Sequence, residues 1–177
     1  MTDEINALER FNTFIKLTLD QDDRSLVLSM TAFLDDALNR LLSAFLIEDK
    51  ITKKNFNTNS ALSTLDVKIK LAYALGLLTI EQYKDLDAVR RIRNRFAHDW
   101  KECILSDPKI LILTEGLIKN RPHPMQIDNC KNKFQFSMAW LLIEIEMILD
   151  NIKKNNHKIK PKAFNFAFNF NLEKTNI

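Results

Sequence analysis

The segment "RRIRNRFAHDW", residues 90–100, gathers four arginines, one histidine and two aromatic rings. Two of these side chains could act on an anion. The guanidinium of Arg93 cannot be deprotonated in a protein, so it seeks a carboxylate, a carbonyl or a phosphate. The imidazole of His98 changes charge near neutral pH. A plainer account serves both residues equally well. Arg93 would then be a structural ion pair, and His98 a basic residue favoured by the dipole at a helix C-terminus.

A helical wheel over residues 80–98, at about 100° per residue, sharpens the choice. Leu86, Val89, Ile92, Phe96, Ala97 and Tyr83 form one apolar arc with Arg93 in its middle, whereas Arg91 and Arg95 point away with Lys84. The wheel predicts that Arg93 is the most buried of the three arginines. A buried cation needs a partner, and Asp35 and Asp36 are candidates; the alternative is a cleft where Arg93 meets an external anion. His98 lies five residues on, about 140° around an ideal helix. It can join Arg93 only if the helix loosens between them or a second subunit contributes.

Helices must position this segment. Glycine is scarce (2 residues) and proline low (4), while 46% of residues are hydrophobic, a balance that favours helices over turn-rich sheets. Apolar positions three and four apart predict a first helix from about Asp3 to Leu19. A long second helix follows, capped by Asp22 or Asp23, with the stripe Leu26, Met30, Phe33, Leu34, Ala37, Leu38, Leu41, Leu42 and Phe45. "KITKKNFNTNSA" reads as a loop. Ser63 as N-cap with Asp66 at N3 starts another helix, and Gly76 ends it. Thr79 and Gln82 form a capping box that opens the Arg93 helix. Asp107 and Pro108 start either a helix or, through "ILIL", a short buried strand. "NRPHPM" is a loop, with His123 a plain loop residue, and a last long helix runs from about Asn129 to Lys154. The reading is an all-α bundle of five to seven helices. Residues 1–154 make one domain, and 155–177 a basic linker and a phenylalanine-rich tail. In that tail Phe164, Phe166, Phe168 and Phe170 alternate with small or polar residues, a strand signature expected to dock on the bundle or on a neighbour.

The bulk figures exclude several functions. Length (177 residues) favours one domain, and a net charge of +3 is weak for a surface that tracks phosphates. No basic recognition helix stands out, so direct DNA binding is not expected. Three dispersed histidines and two cysteines without a CxxC imply neither metal site nor other cofactor. The separate thiols Cys103 and Cys130, read as packed, and the acidic N-terminus without an apolar signal region predict a cytoplasmic protein that does not enter a membrane. Trp100 and Trp140 read as core or interface residues.

Two resemblances add to this. "RNRFAH" resembles the Arg-polar-x-x-x-His motif of the HEPN superfamily of helical proteins, with Arg93, Asn94 and His98 on the motif positions. That resemblance implies a metal-independent endoribonuclease, a toxin or defence effector, assembled across a dimer. His98 would move the proton of a 2′-hydroxyl or leaving group, and Arg93 would neutralise charge on the phosphate. The longer stretch "LSTLDVKIKLAYALGLLTIEQYKDLDAVRRIRNRFAH", with the helix before it, resembles the mannitol operon repressor family over about residues 20–150. It implies a helical transcriptional regulator without a DNA-reading domain, acting through a protein partner, with a homodimer also expected. The regulator is the leading expectation and the ribonuclease the alternative, so enzymatic activity stays open at this point.

Overall fold

The computed structural model describes residues 20–56, 60–99, 103–118 and 129–159, together with positions 12, 16 and 18, which are helical. Most of the expected first helix lies outside the described residues, as do Trp100, His123 and the phenylalanine-rich tail.

The central element is α1 (Asp23–Phe45), capped by the Asp22 side chain, which accepts from the Ser25 N–H at 2.9 Å. Leu26, Val27, Met30, Leu34, Ala37, Leu38, Leu41 and Leu42 are all fully buried on it. So wide an apolar arc serves several neighbours at once. Next comes α2 (Lys50–Asn55), where the sequence predicts a loop. Asp49 caps this helix by accepting from the Thr52 N–H, and none of its residues is buried. A helix with no apolar face leaves no periodicity to read.

The hairpin that carries the Arg93 segment follows. Its first arm, α3 (Leu65–Ala74), is capped by Thr64, one residue later than the predicted Ser63, whose hydroxyl donates instead to the Ser60 carbonyl. It ends in a Schellman turn. Leu77 N–H returns to Ala72 O and Gly76 N–H to Tyr73 O, with Gly76 left-handed at φ 72°. A Cβ at Gly76 would touch nothing, so glycine is there for its backbone freedom alone. The second arm, α4 (Ile80–His98), opens with the predicted capping box: Gln82 N–H donates to Thr79 Oγ1 at 3.2 Å, and Thr79 N–H to Gln82 Oε1 at 2.9 Å.

The Asp107–Pro108 start gives a helix, α5 (Pro108–Ile118), rather than a strand. Asp107 accepts from Lys109 N–H through its carboxylate and from Leu111 N–H through its carbonyl. Finally α6 (Cys130–Asn155), capped by Asn129, packs along α1 and α5. It ends at Asn156 in the left-handed region, φ 51°. The chain then turns back on the bundle: Ile159 N–H donates to Phe45 O at 2.8 Å, at the far end of α1. Helix α1 also packs against α3 and α4, and α4 against α5, so one continuous apolar core runs through these helices. No strand occurs among the described residues.

Candidate functional site

The C-terminal turns of α4 are fixed from behind by the first turn of α1. The Arg24 guanidinium donates to the Phe96 carbonyl and, at 2.5 Å, to the Asp99 carbonyl. Carbonyls at a helix C-terminus have no partner within the helix, and here an arginine about seventy residues upstream supplies one. Beside it the Asp23 carboxylate accepts from Leu105 N–H at 2.8 Å. Sequence reasoning gave Arg24 and Asp23 no such role, because nothing local links them to residues 96–105.

Arg93 is exposed, contrary to the wheel. Helix α3 has ten residues and α4 nineteen. Asp66, in the first turn of α3, meets Arg90 at 3.3 Å. Among the described residues α3 does not continue beside α4 beyond Arg90, and Arg93 reaches solvent although it borders the apolar arc. Its guanidinium donates to the amide oxygen of Asn94 at 3.2 Å. Neither predicted carboxylate holds it: Asp35 pairs with Lys68, and Asp36 with Arg40. Arg95 is the half-buried one of the three arginines compared, and its Nε is buried without a hydrogen-bond partner. It lies on the flank near Cys103, a buried thiol that desolvation pushes above its ordinary pKa, with Asp99 adding to the effect. Such a thiol is packed rather than reactive. Cys103 and Cys130 are both free, Cys130 half-buried, and Trp140 is half-buried on α6.

His98 is exposed on the final turn, and α4 stays regular through it. The loosening that would bring His98 to Arg93 within one chain is therefore missing, and the two point about 140° apart. The structure brings Arg93 to Asn94 but leaves His98 on another side of the helix.

The buried charges sit elsewhere. Lys68, on α3, is only 4% exposed and pairs with Asp35 of α1 at 2.8 Å. The second Asp35 oxygen and the Asn39 amide oxygen are buried without partners. Asp85 of α4 is also buried. Arg40 ties α1 to α6 through Glu146. Among the described residues no group of His, Cys, Asp or Glu could hold a metal, and no helix is long and apolar enough to cross a membrane.

These features define an all-helical bundle with a charged interior seam and an exposed cationic helix end. The chain belongs to the mannitol repressor family, whose model matches residues 10–156. It is 28% identical over 113 residues to the mannitol operon repressor of Escherichia coli strain K12, covering 61% of this chain and 55% of that protein. The mannitol operon repressor of Escherichia coli O6:H1 strain CFT073 gives the same figures, 28% identity over 113 residues with 61% and 55% covered. The chain thus spans about half the length of the curated relatives it matches. The X-ray structure of the MtlR–HPr complex from Escherichia coli contains a chain of the same fold. Its TM-score is 0.54 at 21% identity, covering 80% of this chain and 97% of that one.

Proposed function

We propose that the chain is a transcriptional regulator of the mannitol repressor type that works in the cytoplasm through a protein partner and does not read DNA itself. The family match over residues 10–156 carries this reading. The relative of the same fold captured in complex with HPr supports a protein partner, and an HPr protein is the first partner to test. Charge supports the same view. Arg40, Lys68, Arg90 and Lys133 are engaged by carboxylates, which leaves them poorly suited to a phosphate-tracking surface. The test is calorimetric titration with HPr, beside gel shifts on mannitol-operon DNA with and without it. Binding to HPr without a DNA shift by the chain alone is expected. A DNA shift by the chain alone, weakening steeply with salt, would overturn the reading.

A second reading keeps the HEPN-type ribonuclease, with Arg93, Asn94 and His98 as its residues. The observation in its favour is that Arg93 and His98 are solvent-open and Arg93 is not locked by a carboxylate among the described residues. Their divergence on α4 requires two copies to complete one centre, hence a homodimer. Incubation with total RNA then gives products ending in cyclic phosphate, lost in Arg93→Ala and in His98→Ala and insensitive to chelators. Cleavage that survives His98→Ala or needs magnesium sinks this reading.

A further inference from the structure

Helix α5 has two faces. Ile110, Thr114 and Leu117 are fully buried where it packs on α4 and α6. Pro108, Lys109, Ile112, Glu115 and Gly116 are exposed and form the opposite face. Ile112, at its centre, is 72% exposed. A single exposed isoleucine needs no explanation, but the pattern around this one does. Lys109 and Glu115 stand three residues before and after it, about 60° to either side of its direction. Pro108 and Gly116 stand four before and after, about 40° to either side. The face is thus symmetric in position about Ile112 and opposite in charge. Lys109 Nζ meets no carboxylate among the described residues. Glu115 is held by Lys133 through one carboxylate oxygen at 2.5 Å, and its side chain stays 53% exposed. Gly116 leaves open space where a side chain would stand.

We propose that this face is a self-complementary interface, on which α5 of a second copy of the chain lies antiparallel about a twofold axis at Ile112. In such a pair a residue ahead of Ile112 comes level with the residue equally far behind it in the other copy. Ile112 meets Ile112. Lys109 of each copy comes level with Glu115 of the other, so two ion pairs flank the apolar centre. Pro108 comes level with Gly116, and its ring enters the space that glycine leaves. A parallel arrangement would set Lys109 against Lys109 and Glu115 against Glu115. An unrelated partner would gain nothing from a charge pattern that reverses sign about one residue. The eleven residues of α5 make a helix about 16 Å long. One helix pair of that length buries less than the ~1,200 Å² of a standard interface. The dimer is therefore weak and reversible, formed at concentrations on the order of 100 µM and lost near ~1 µM. The proposal rests on neither reading of function above.

Sedimentation velocity of the full chain across that range of concentration is the test. The unaltered chain should pass from monomer to dimer as concentration rises. Lys109→Glu alone and Glu115→Lys alone each set like charges level with one another, and each should stay monomeric at the top of the range. An equimolar mixture of these two variants should dimerise, because each altered site then meets the opposite charge in the other chain. Ile112→Asp should stay monomeric. All three positions are exposed, so circular dichroism should show unchanged helix content in every variant. A monomer at every concentration overturns the proposal. So does a dimer that survives Ile112→Asp, a single charge variant that dimerises as well as the unaltered chain, or a mixture that stays monomeric. Should Glu115→Lys unfold through the loss of its contact with Lys133, Lys109→Glu and Ile112→Asp decide alone, and a dimer in either one overturns the proposal.

Discussion

Lys68 and Arg93 each border the apolar side of a helix, and the bundle treats them in opposite ways. Lys68 is buried against α1 with its ammonium on Asp35, while Arg93 stands in solvent with only an amide oxygen beside it. The helices themselves do not explain this, since both have wide apolar arcs. The neighbours do. Helix α1 runs past Lys68 and brings a carboxylate, whereas α3 starts at Leu65 and, among the described residues, does not reach the last turns of α4 on the Arg93 flank. Burial of a cation is therefore set by which partner helix continues past it. It persists only where that helix supplies a counter-charge, because a lone buried charge is too costly.

The comparison breaks first, and by the largest margin, at Lys68. Lys68→Ala leaves the Asp35 carboxylate partly enclosed and uncompensated. Removing one partner of a buried pair costs about 3–5 kcal/mol. The Asp35 side chain is 35% exposed, so solvent screening lowers the expected loss to about 2–4 kcal/mol in urea denaturation. Pairing Lys68→Met with Asp35→Leu should recover most of it, since an apolar pair of similar size leaves no stranded charge. A loss below about 1 kcal/mol for Lys68→Ala would mean that the seam is wetter than its geometry indicates.

Arg24→Ala comes next. It strips the Phe96 and Asp99 carbonyls of a charged donor, at a cost of about 1–3 kcal/mol. The loss is local, so hydrogen exchange should quicken in the last two turns of α4 more than at the Thr79 capping box. Uniform acceleration along α4 would show that Arg24 supports the whole bundle rather than this end.

The same contrast separates what could be read in the sequence from what could not. Thr79 with Gln82 and Gly76 at the turn were legible because each signal lies within a few residues of its effect, whereas at Asp107–Pro108 the run "ILIL" left helix and strand both open. The family was legible from the α3–α4 stretch. The position of Arg93 was misread because a wheel shows one helix's face and is silent about where its neighbour stops. Arg95, which the wheel turns to solvent, is half-buried. Helix α2 was missed because it buries nothing. Lys68 carried a faint signal: a charge four residues before the buried Ala72, on the core side of α3.

A smaller effect is expected where the chain returns to α1. The carboxyl of Glu48 is held below its ordinary value by hydrogen bonds from Lys158 and then Lys53. A lowered carboxylate pKa contributes its stabilisation above the ordinary value, 4.5, and loses it as pH falls through the lower folded value. Below that range the Lys158 contact should release, and Ile159 N–H, one residue on, should exchange faster. Glu48→Gln should remove the pH dependence of that exchange. If the dependence persists in Glu48→Gln, another group controls the docking of residues 157–159.

The smallest effect belongs to Arg93, and it completes the contrast with Lys68. An exposed guanidinium bonded to a neighbouring amide leaves no buried group stranded when it is removed. Arg93→Ala should therefore change stability by no more than about 0.5 kcal/mol, the usual range for surface positions. Arg95→Ala, which removes a half-buried guanidinium, should cost more. If the order is reversed, the flank of α4 beyond Arg90 is covered in solution, most simply by a second copy of the chain. Repeating the Arg93→Ala melt across a wide range of protein concentration tests that. A cost that grows with concentration would place Arg93 in an interface between copies; a cost that stays near zero throughout leaves it on an open helix end, free to meet a partner or an anion.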